Sequence, residues 1–344
     1  MLIASSKGQD TNMTASLNSI GIVGAGAWGT ALAIALSRAG RSVTLWVREP
    51  DLASSMGKTR ENTLHLPGVS LAPSITITAD LSALSACQAL ILATPAQHIR
   101  TTCKVLAPYC STPRPLIIAA KGIELITHRL MSEVVAQEMP SFPIFVLSGP
   151  SFALEVAHGL PAALTLASEE AAEDLAHALS SPSFRLYTTD DIIGTQIGGA
   201  IKNVLAIACG IVTGRKMGDN ARAALITRGL AEITRLGAAL GAKSETLMGL
   251  SGLGDLVLTC SSPQSRNMSL GIGLGQGKSL EDILKTHKGV AEGVATAAAT
   301  LGLAYRHGID MPVVRAIDRV LRENAHIDDI ISEILARPLR HEAI

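Results

Sequence analysis

The run Gly24-Ala25-Gly26-Ala27-Trp28-Gly29 constrains this chain more than any other feature. It matches G-x-G-x-x-G and lies between a predicted strand, Ile20 to Val23, and a predicted helix, Trp28 to Ala39, which Gly40 stops. In that setting the first glycine makes a tight turn, the second lets a pyrophosphate approach the backbone, and the third lets helix and strand pack closely. The helix N-terminus then presents unpaired N–H groups to the anion. A plain glycine-rich turn is the alternative, but the next strand, Ser42 to Val47, falls at the distance a dinucleotide site requires. Roughly 20 residues past the glycines, NAD-binding chains place an acid against the ribose. Here that place holds Arg48, followed by Glu49. A guanidinium suits a 2'-phosphate, so NADPH is favoured, while Glu49 leaves NADH open. Arg48 also reads as a solvated loop residue.

The alternation begun at this turn continues. Further strands are expected at Ile75 to Thr78, Ala89 to Ala93, Leu116 to Ala119, Ile144 to Leu147 and Ala163 to Leu166, separated by helical stretches. Leu66-Pro67-Gly68 and Ser148-Gly149-Pro150 read as loops between them. Strands alternating with helices predict a parallel sheet with crossover helices. Past about Asp190 the β-branched runs give way to helical periodicity, with a long buried helix at Ile192 to Val212 and an amphipathic one at Ala223 to Leu240. The expected organisation is a disordered tail over 1–18, a dinucleotide-binding domain over 19–189 and an all-helical substrate domain over 190–340.

Composition narrows the function classes. With 344 residues, two domains are expected, and 47% hydrophobic against 17% charged residues argues for packed cores. The formal net charge of zero lacks the basic excess of a nucleic-acid or membrane-surface binder. No apolar stretch reaches the roughly 18 uncharged residues of a spanning helix. Met1 to Asn18 has no apolar centre of the secretion-signal kind, and Met13 is an alternative start. The five cysteines form no C-x-x-C pair and read as reduced, packed thiols of a cytoplasmic protein. No H-x-x-x-H pair occurs among the nine histidines, so no metal is expected.

The chemistry-bearing residues lie further along. Lys202 is the one charged side chain between Gly198 and Ala208. Burial disfavours an ammonium and lowers its pKa, which fits proton exchange near neutrality. The segment alone fits better a lysine whose stem packs while its head reaches water or meets a carboxylate. Lys121, in Ala120-Lys121-Gly122, follows a predicted strand and so stands at the carboxyl edge of the sheet. Ser148-Gly149-Pro150-Ser151-Phe152-Ala153 ends the next strand and offers N–H groups and a hydroxyl to the same crevice. Ser265-Arg266-Asn267 places a cap, a guanidinium and an amide at a helix N-terminus, a plausible phosphate cradle. Asp255 reads either as a substrate contact or as a helix cap. Two lysines and an arginine in one cleft repel unless an anion lies among them.

These motifs, with Asn220 to Glu232, Gly252 to Cys260 and Gln264 to Asn267, resemble the bacterial type of NAD(P)-dependent glycerol-3-phosphate dehydrogenase from about Ser19 to about Ala336. The resemblance implies a Rossmann-type doubly wound α/β sheet followed by an all-α C-terminal domain. It implies reduction of dihydroxyacetone phosphate to sn-glycerol 3-phosphate for glycerophospholipid synthesis, with NADP or NAD as cofactor. Lys202 would be the proton donor and acceptor. Lys121, Gly149, Ser151, Lys202, Asp255, Ser265, Arg266 and Asn267 would contact substrate. Gly24, Gly26, Ala27, Trp28, Gly29, Arg48, His65, Lys121, Ala153, Arg266, Val290 and Glu292 would line the cofactor site. Ala27 stands where a serine is common, and His65 where an aromatic is usual.

Expected partners are a small phosphorylated substrate and a second copy of the chain, with no nucleic acid and no membrane span. In the mechanism this suggests, Lys121 and Arg266 lower the pKa of Lys202 and stabilise developing negative charge. The rival enzymatic reading is a β-hydroxyacid or 6-phosphogluconate-type dehydrogenase. A rival outside enzymology is a redox-sensing module that binds NAD(P)H without turnover.

Overall fold

A computed structural model describes residues 17–286 and 291–338; the expected tail before Leu17, and Val290, lie outside the described residues. Leu17 and Asn18 are already tied to the sheet, Leu17 O accepting from Arg41 and Asn18 O from the Ser42 N–H. The strands are β1 (Ser19–Val23), β2 (Ser42–Trp46), β3 (Glu61–Asn62), β4 (Leu66–Ser70), β5 (Ile75–Thr78), β6 (Ala89–Leu92), β7 (Leu116–Ile118), β8 (Ile144–Ser148), β9 (Ala162–Ala167) and β10 (Phe184–Thr189). Helices α1 (Ala27–Arg38), α2 (Pro50–Thr59), α3 (Ile99–Leu106), α4 (Met131–Glu138), α5 (Ala153–His158) and α6 (Glu173–Leu179) interleave with them.

The main sheet has the order β10-β9-β8-β7-β6-β1-β2-β5. Its core reads out of the apolar runs: Ile20, Ile22, Leu45, Leu90, Ile91 and Ile117 are at most 1% exposed, as strands covered on both faces require. The chain steps outward from β1 to β2 and β5, then returns to β6 on the other side of β1. That reversal is the topological switch point, where open α/β sheets bind ligands beyond the carboxyl ends of their strands.

Three sequence expectations change here. The sheet is not wholly parallel, because β9 runs antiparallel to β8 and β10 then pairs parallel to β9. β10 has no counterpart among the expected strands; it is an edge strand whose alternating exposure leaves a weak apolar signal. Leu66-Pro67-Gly68 belongs to β4, which pairs antiparallel with β3. Pro67 fits there because the two-stranded ribbon is all edge, where a missing N–H is tolerated.

Beyond Thr189 every described element is helical: α7 (Ile192–Gly214), α8 (Asp219–Ala239), α9 (Ser244–Leu247), a π-helical turn at Leu250–Gly254, α10 (Asp255–Ser261), α11 (Arg266–Gly275), α12 (Leu280–Thr286), α13 (Glu292–Arg306), α14 (Pro312–Arg322) and α15 (Ile327–Leu335). α7 is the hub. By length and composition its 23 residues are long and apolar enough to cross a membrane, contrary to the expectation that no such stretch exists, but 83% of its most apolar window is buried inside the protein. Its apolar character is that of a core helix wrapped by others. α11 packs on it backbone to backbone, since a Cβ on Gly210 would stand 2.2 Å from Met268 O and one on Gly271 2.1 Å from Ile207 O.

Candidate active site

The glycine turn behaves as three separate devices. Gly24 has φ +112°, a conformation that costs a glycine little, and its N–H donates to Trp46 O, closing the turn against β2. A Cβ on Gly29 would stand 1.9 Å from Gly24 O, so this glycine is what lets α1 approach the strand end. Gly26 is different: a Cβ there would meet nothing within 4 Å, and its φ of −66° suits any residue. Neither backbone nor packing requires glycine at that position, and the space beside it is open. The first-turn N–H groups of α1, at Ala27 and Trp28, have no intrahelical carbonyl to bond, the arrangement that suits an anion at a helix N-terminus. Trp28 also keeps a buried Nε1 with no partner among the described residues. The turn therefore fits the pyrophosphate of a dinucleotide.

Asn62, which sequence reasoning did not single out, holds this turn in place. Fully buried, it donates through Nδ2 to Ala25 O and Thr30 Oγ1, both at 2.8 Å, and accepts from the His65 N–H. One amide thus connects the glycine turn to the segment bearing His65. Burial holds the His65 pKa below its ordinary value, Glu49 opposing the shift and Arg266 adding to it. Arg48 lies just past β2, is 72% exposed and pairs with Glu49. Ala153 opens α5 beyond the carboxyl end of β8.

Across the crevice stands the charged centre. Lys202, 7% exposed, extends from the middle of α7 and donates to Asp255 Oδ1 and, at 3.0 Å, to Thr259 Oγ1. Lys121, beyond β7, donates to the other oxygen of the same carboxylate at 2.6 Å and to Gly149 O at 3.0 Å. Asp255, fully buried, opens α10, but no side-chain bond caps the helix, which removes the capping alternative. Glycines set the spacing. A Cβ on Gly198 would stand 2.6 Å from Ser251 O, and one on Gly199 2.5 Å from Ser148 Oγ. One turn before Lys202, α7 is thus pared to backbone so that the turn leading to Asp255 can reach it.

Burial is the first cause of the Lys202 shift, which takes its pKa down to about 8; Asp255 opposes it and Lys121 reinforces it. Arg266 is not among the main causes of that shift and acts on Glu292 and His65. Of the two expected tuners, Lys121 is among the main causes of the shift. The anion that reconciles the two lysines is Asp255, a group of the protein itself.

Ser265 caps α11, its Oγ accepting from the Met268 N–H at 3.2 Å. The next residue, Arg266, is exposed, and its guanidinium makes no hydrogen bond or ion pair among the described residues. Asn267 is buried and partly committed, donating to Asn203 Oδ1 and accepting from the Gly293 N–H. Ser151 Oγ donates to Gly149 O at 2.9 Å. Glu292, at the start of α13, accepts from the Ala96 N–H beyond β6; burial raises its pKa, and Arg266 opposes that rise most. Thr259 is a second residue the sequence reading missed. Its i+4 spacing from Asp255 within one helix was the available signal, since such residues share a face.

A dinucleotide turn at the switch point of a doubly wound sheet, followed by a helical unit whose buried lysine and carboxylate are joined by a lysine from the sheet's carboxyl edge, defines a nicotinamide-dependent oxidoreductase of the two-part kind. Residues 19–174 match the family model described as NAD-dependent glycerol-3-phosphate dehydrogenase N-terminus, and residues 191–332 match the one described as its C-terminus. The chain belongs to the NAD-dependent glycerol-3-phosphate dehydrogenase family. A Parvibaculum lavamentivorans protein named glycerol-3-phosphate dehydrogenase [NAD(P)+] is 53% identical over 96% of this chain and 100% of its own length. Its namesake in Caulobacter vibrioides is 51% identical over 94% and 98%. The crystal structure of glycerol-3-phosphate dehydrogenase from Coxiella burnetii superposes with a TM-score of 0.90 at 40% identity, covering 93% of this chain and 99% of that one.

Proposed function

We propose that this chain interconverts dihydroxyacetone phosphate and sn-glycerol 3-phosphate with NAD(P)H, and that Lys202 is its acid and base. The observation that carries the assignment of Lys202 is its burial on Asp255 beside Lys121. A nicotinamide cofactor held at the glycine turn would supply the hydride for the ketone carbon, or accept it from the alcohol. Lys202, as ammonium, protonates the C2 oxygen in reduction, and as amine it removes that proton in oxidation. A pKa of about 8 keeps both forms within reach near neutrality. Lys121 adds positive potential where the oxygen becomes negative. The unpaired Arg266 guanidinium and the N-terminus of α11 hold the phosphate, and that remote binding energy aligns the carbonyl. Gly149, Ser151, Ser265 and Asn267 border the substrate, while Ala27, Trp28, Arg48, His65, Ala153 and Glu292 border the cofactor.

In this reading residues 19–189 form the dinucleotide domain and 190–340 the substrate domain. The exposed Arg48 guanidinium favours NADPH over NADH. The enzyme works in the cytoplasm as a homodimer and supplies glycerol 3-phosphate to phospholipid synthesis. Absorbance of NADPH and NADH followed with dihydroxyacetone phosphate tests the reaction, and sedimentation tests the dimer. Oxidation of a β-hydroxy acid but not of glycerol 3-phosphate would move the chain to the rival class; cofactor binding without turnover would leave a sensor. For the residue assignment, Lys202→Ala is expected to lose about 100-fold or more in turnover while its circular dichroism is kept. A folded variant with near-normal turnover removes Lys202 from that role.

A further inference from the structure

We propose that a cleft between the loop around Leu125 and His128 and helices α13 and α14 is a second ligand site, taking a small amphipathic anion: a carboxylate or phosphate on an apolar chain or ring. The cleft has a volume of about 740 Å³, which suits a small molecule. Leu125, Ala298, Leu301 and Ile309 give it an apolar lining, and Tyr305, 88% exposed, stands at its rim. Its charged lining residues are Arg315, Arg322 and Asp310. Asp310 is bonded by both Arg315 and Arg337, and Arg322 pairs with the buried Asp318, so cations outnumber the carboxylates facing the cleft. That balance favours an anion.

His128 supplies the polar anchor. Its φ of +54° is rare for a residue with a side chain, and its ring lies directly on Gly302, where a Cβ would stand 2.2 Å from the ring. The ring's Nδ1 is buried against Gly302 with no partner among the described residues, so a ligand in the cleft meets this unsatisfied group when the ring turns away from Gly302.

The walls of the cleft also reach the active site. The loop bearing Leu125 and His128 begins at Lys121, and it is stiffened by the Ile123 to Leu130 bridge and by Arg100 gripping both oxygens of Glu124 at 2.8 Å. The other wall, α13, begins at Glu292, which bonds the Ala96 N–H in the crevice. A ligand that shifts either wall therefore changes the setting of Lys121 or Glu292, a coupling between two distinct sites.

Fluorescence of 1-anilinonaphthalene-8-sulfonate on the full chain, with NADPH saturating the cofactor crevice, reads occupancy. Decanoate, decyl phosphate, decylamine and inorganic phosphate are the competitors. Decanoate or decyl phosphate should displace the dye, and the stronger of the two identifies the headgroup; decylamine and inorganic phosphate should not. Arg315→Ala should weaken displacement about tenfold, the loss of one charge-assisted hydrogen bond. Tyr305→Ala, at a position too exposed to threaten folding, should weaken it as well. The winning anion should alter kcat or KM for dihydroxyacetone phosphate in the unmodified chain and not in Arg315→Ala. Equal competition by decylamine, no dye displacement, or displacement unchanged in both variants overturns the proposal. So does an Ala298→Trp variant that changes the sedimentation of the chain, because the cleft would then be an interface between copies.

Discussion

Asp255 and Lys202 are joined side chain to side chain in the interior, and the second oxygen of the same carboxylate holds Lys121 at 2.6 Å. A single buried carboxylate therefore pairs with two lysines from different parts of the chain. Burial alone would drive Lys202 further toward the neutral form than it goes, and Asp255 restrains that drift.

The pH dependence follows from the direction of this shift. Reduction needs the ammonium form of Lys202, so kcat for dihydroxyacetone phosphate should fall as pH rises through about 8. Oxidation of glycerol 3-phosphate needs the amine and should rise over the same interval. Initial rates in both directions from pH 6 to 10, with the chemical step limiting, check this; parallel profiles would contradict it.

Asp255→Asn removes the restraint and leaves two ammonium groups sharing a neutral amide. The pKa of Lys202 should move below about 8, carrying the fall in reduction to lower pH. Stability should drop by about 3–5 kcal/mol, as when a buried pair loses one partner. Urea unfolding measures the second effect and the pH profile the first. An unshifted profile in a folded variant would show that Asp255 does not control Lys202.

The glycine turn separates binding from folding. Gly26→Ala introduces a methyl that touches no protein atom within 4 Å, so Tm should hold while KM for NADPH rises about tenfold or more, the methyl standing where the pyrophosphate approaches. Gly29→Ala forces a carbon to within 1.9 Å of Gly24 O and should lower Tm. Thermal melts and cofactor titrations of the two variants distinguish these effects.

Glu232, 1% exposed on α8, accepts from the N–H groups of Val313 and Val314 and so caps the start of α14. Burial raises its pKa from 4.5 to about 7, the two N–H groups and Arg235 opposing the rise and Asp310 adding to it. The folded chain thus binds this proton more tightly than the unfolded chain does. The ionised carboxylate is a stability cost above pH 7 that is relieved as pH falls from about 7 toward 4.5. Urea unfolding should show this group contributing a slope of up to about 1.4 kcal/mol per pH unit in that window. Glu232→Gln should flatten the slope, and an unchanged slope would reassign it to another group.

Much of the dinucleotide half was legible because its signals are local. β5 coincides with the strand expected at Ile75 to Thr78, and the G-x-G-x-x-G match carried its strand and helix with it. The edge strand β10 was not legible, because Arg185, Tyr187 and Thr188 leave half of it exposed. Lys121, Lys202, Asp255 and Arg266 were each visible as unusual residues in their own segments. That one carboxylate would serve both lysines, while Arg266 finds no partner among the described residues, was not visible.

The sequence by itself determined the turn chemistry of Gly24 to Gly29, the succession of strands and helices, and the presence of an ammonium in an apolar helix. Each depends on neighbours a few residues away, through backbone sterics and hydrophobic period. Tertiary structure alone decided that Asp255, 53 residues beyond Lys202, is its partner, and that Asn62 locks the glycine turn to the His65 segment. Those contacts depend on how closely backbones approach at Gly198, Gly199 and Gly29, and they exist only once distant segments have packed.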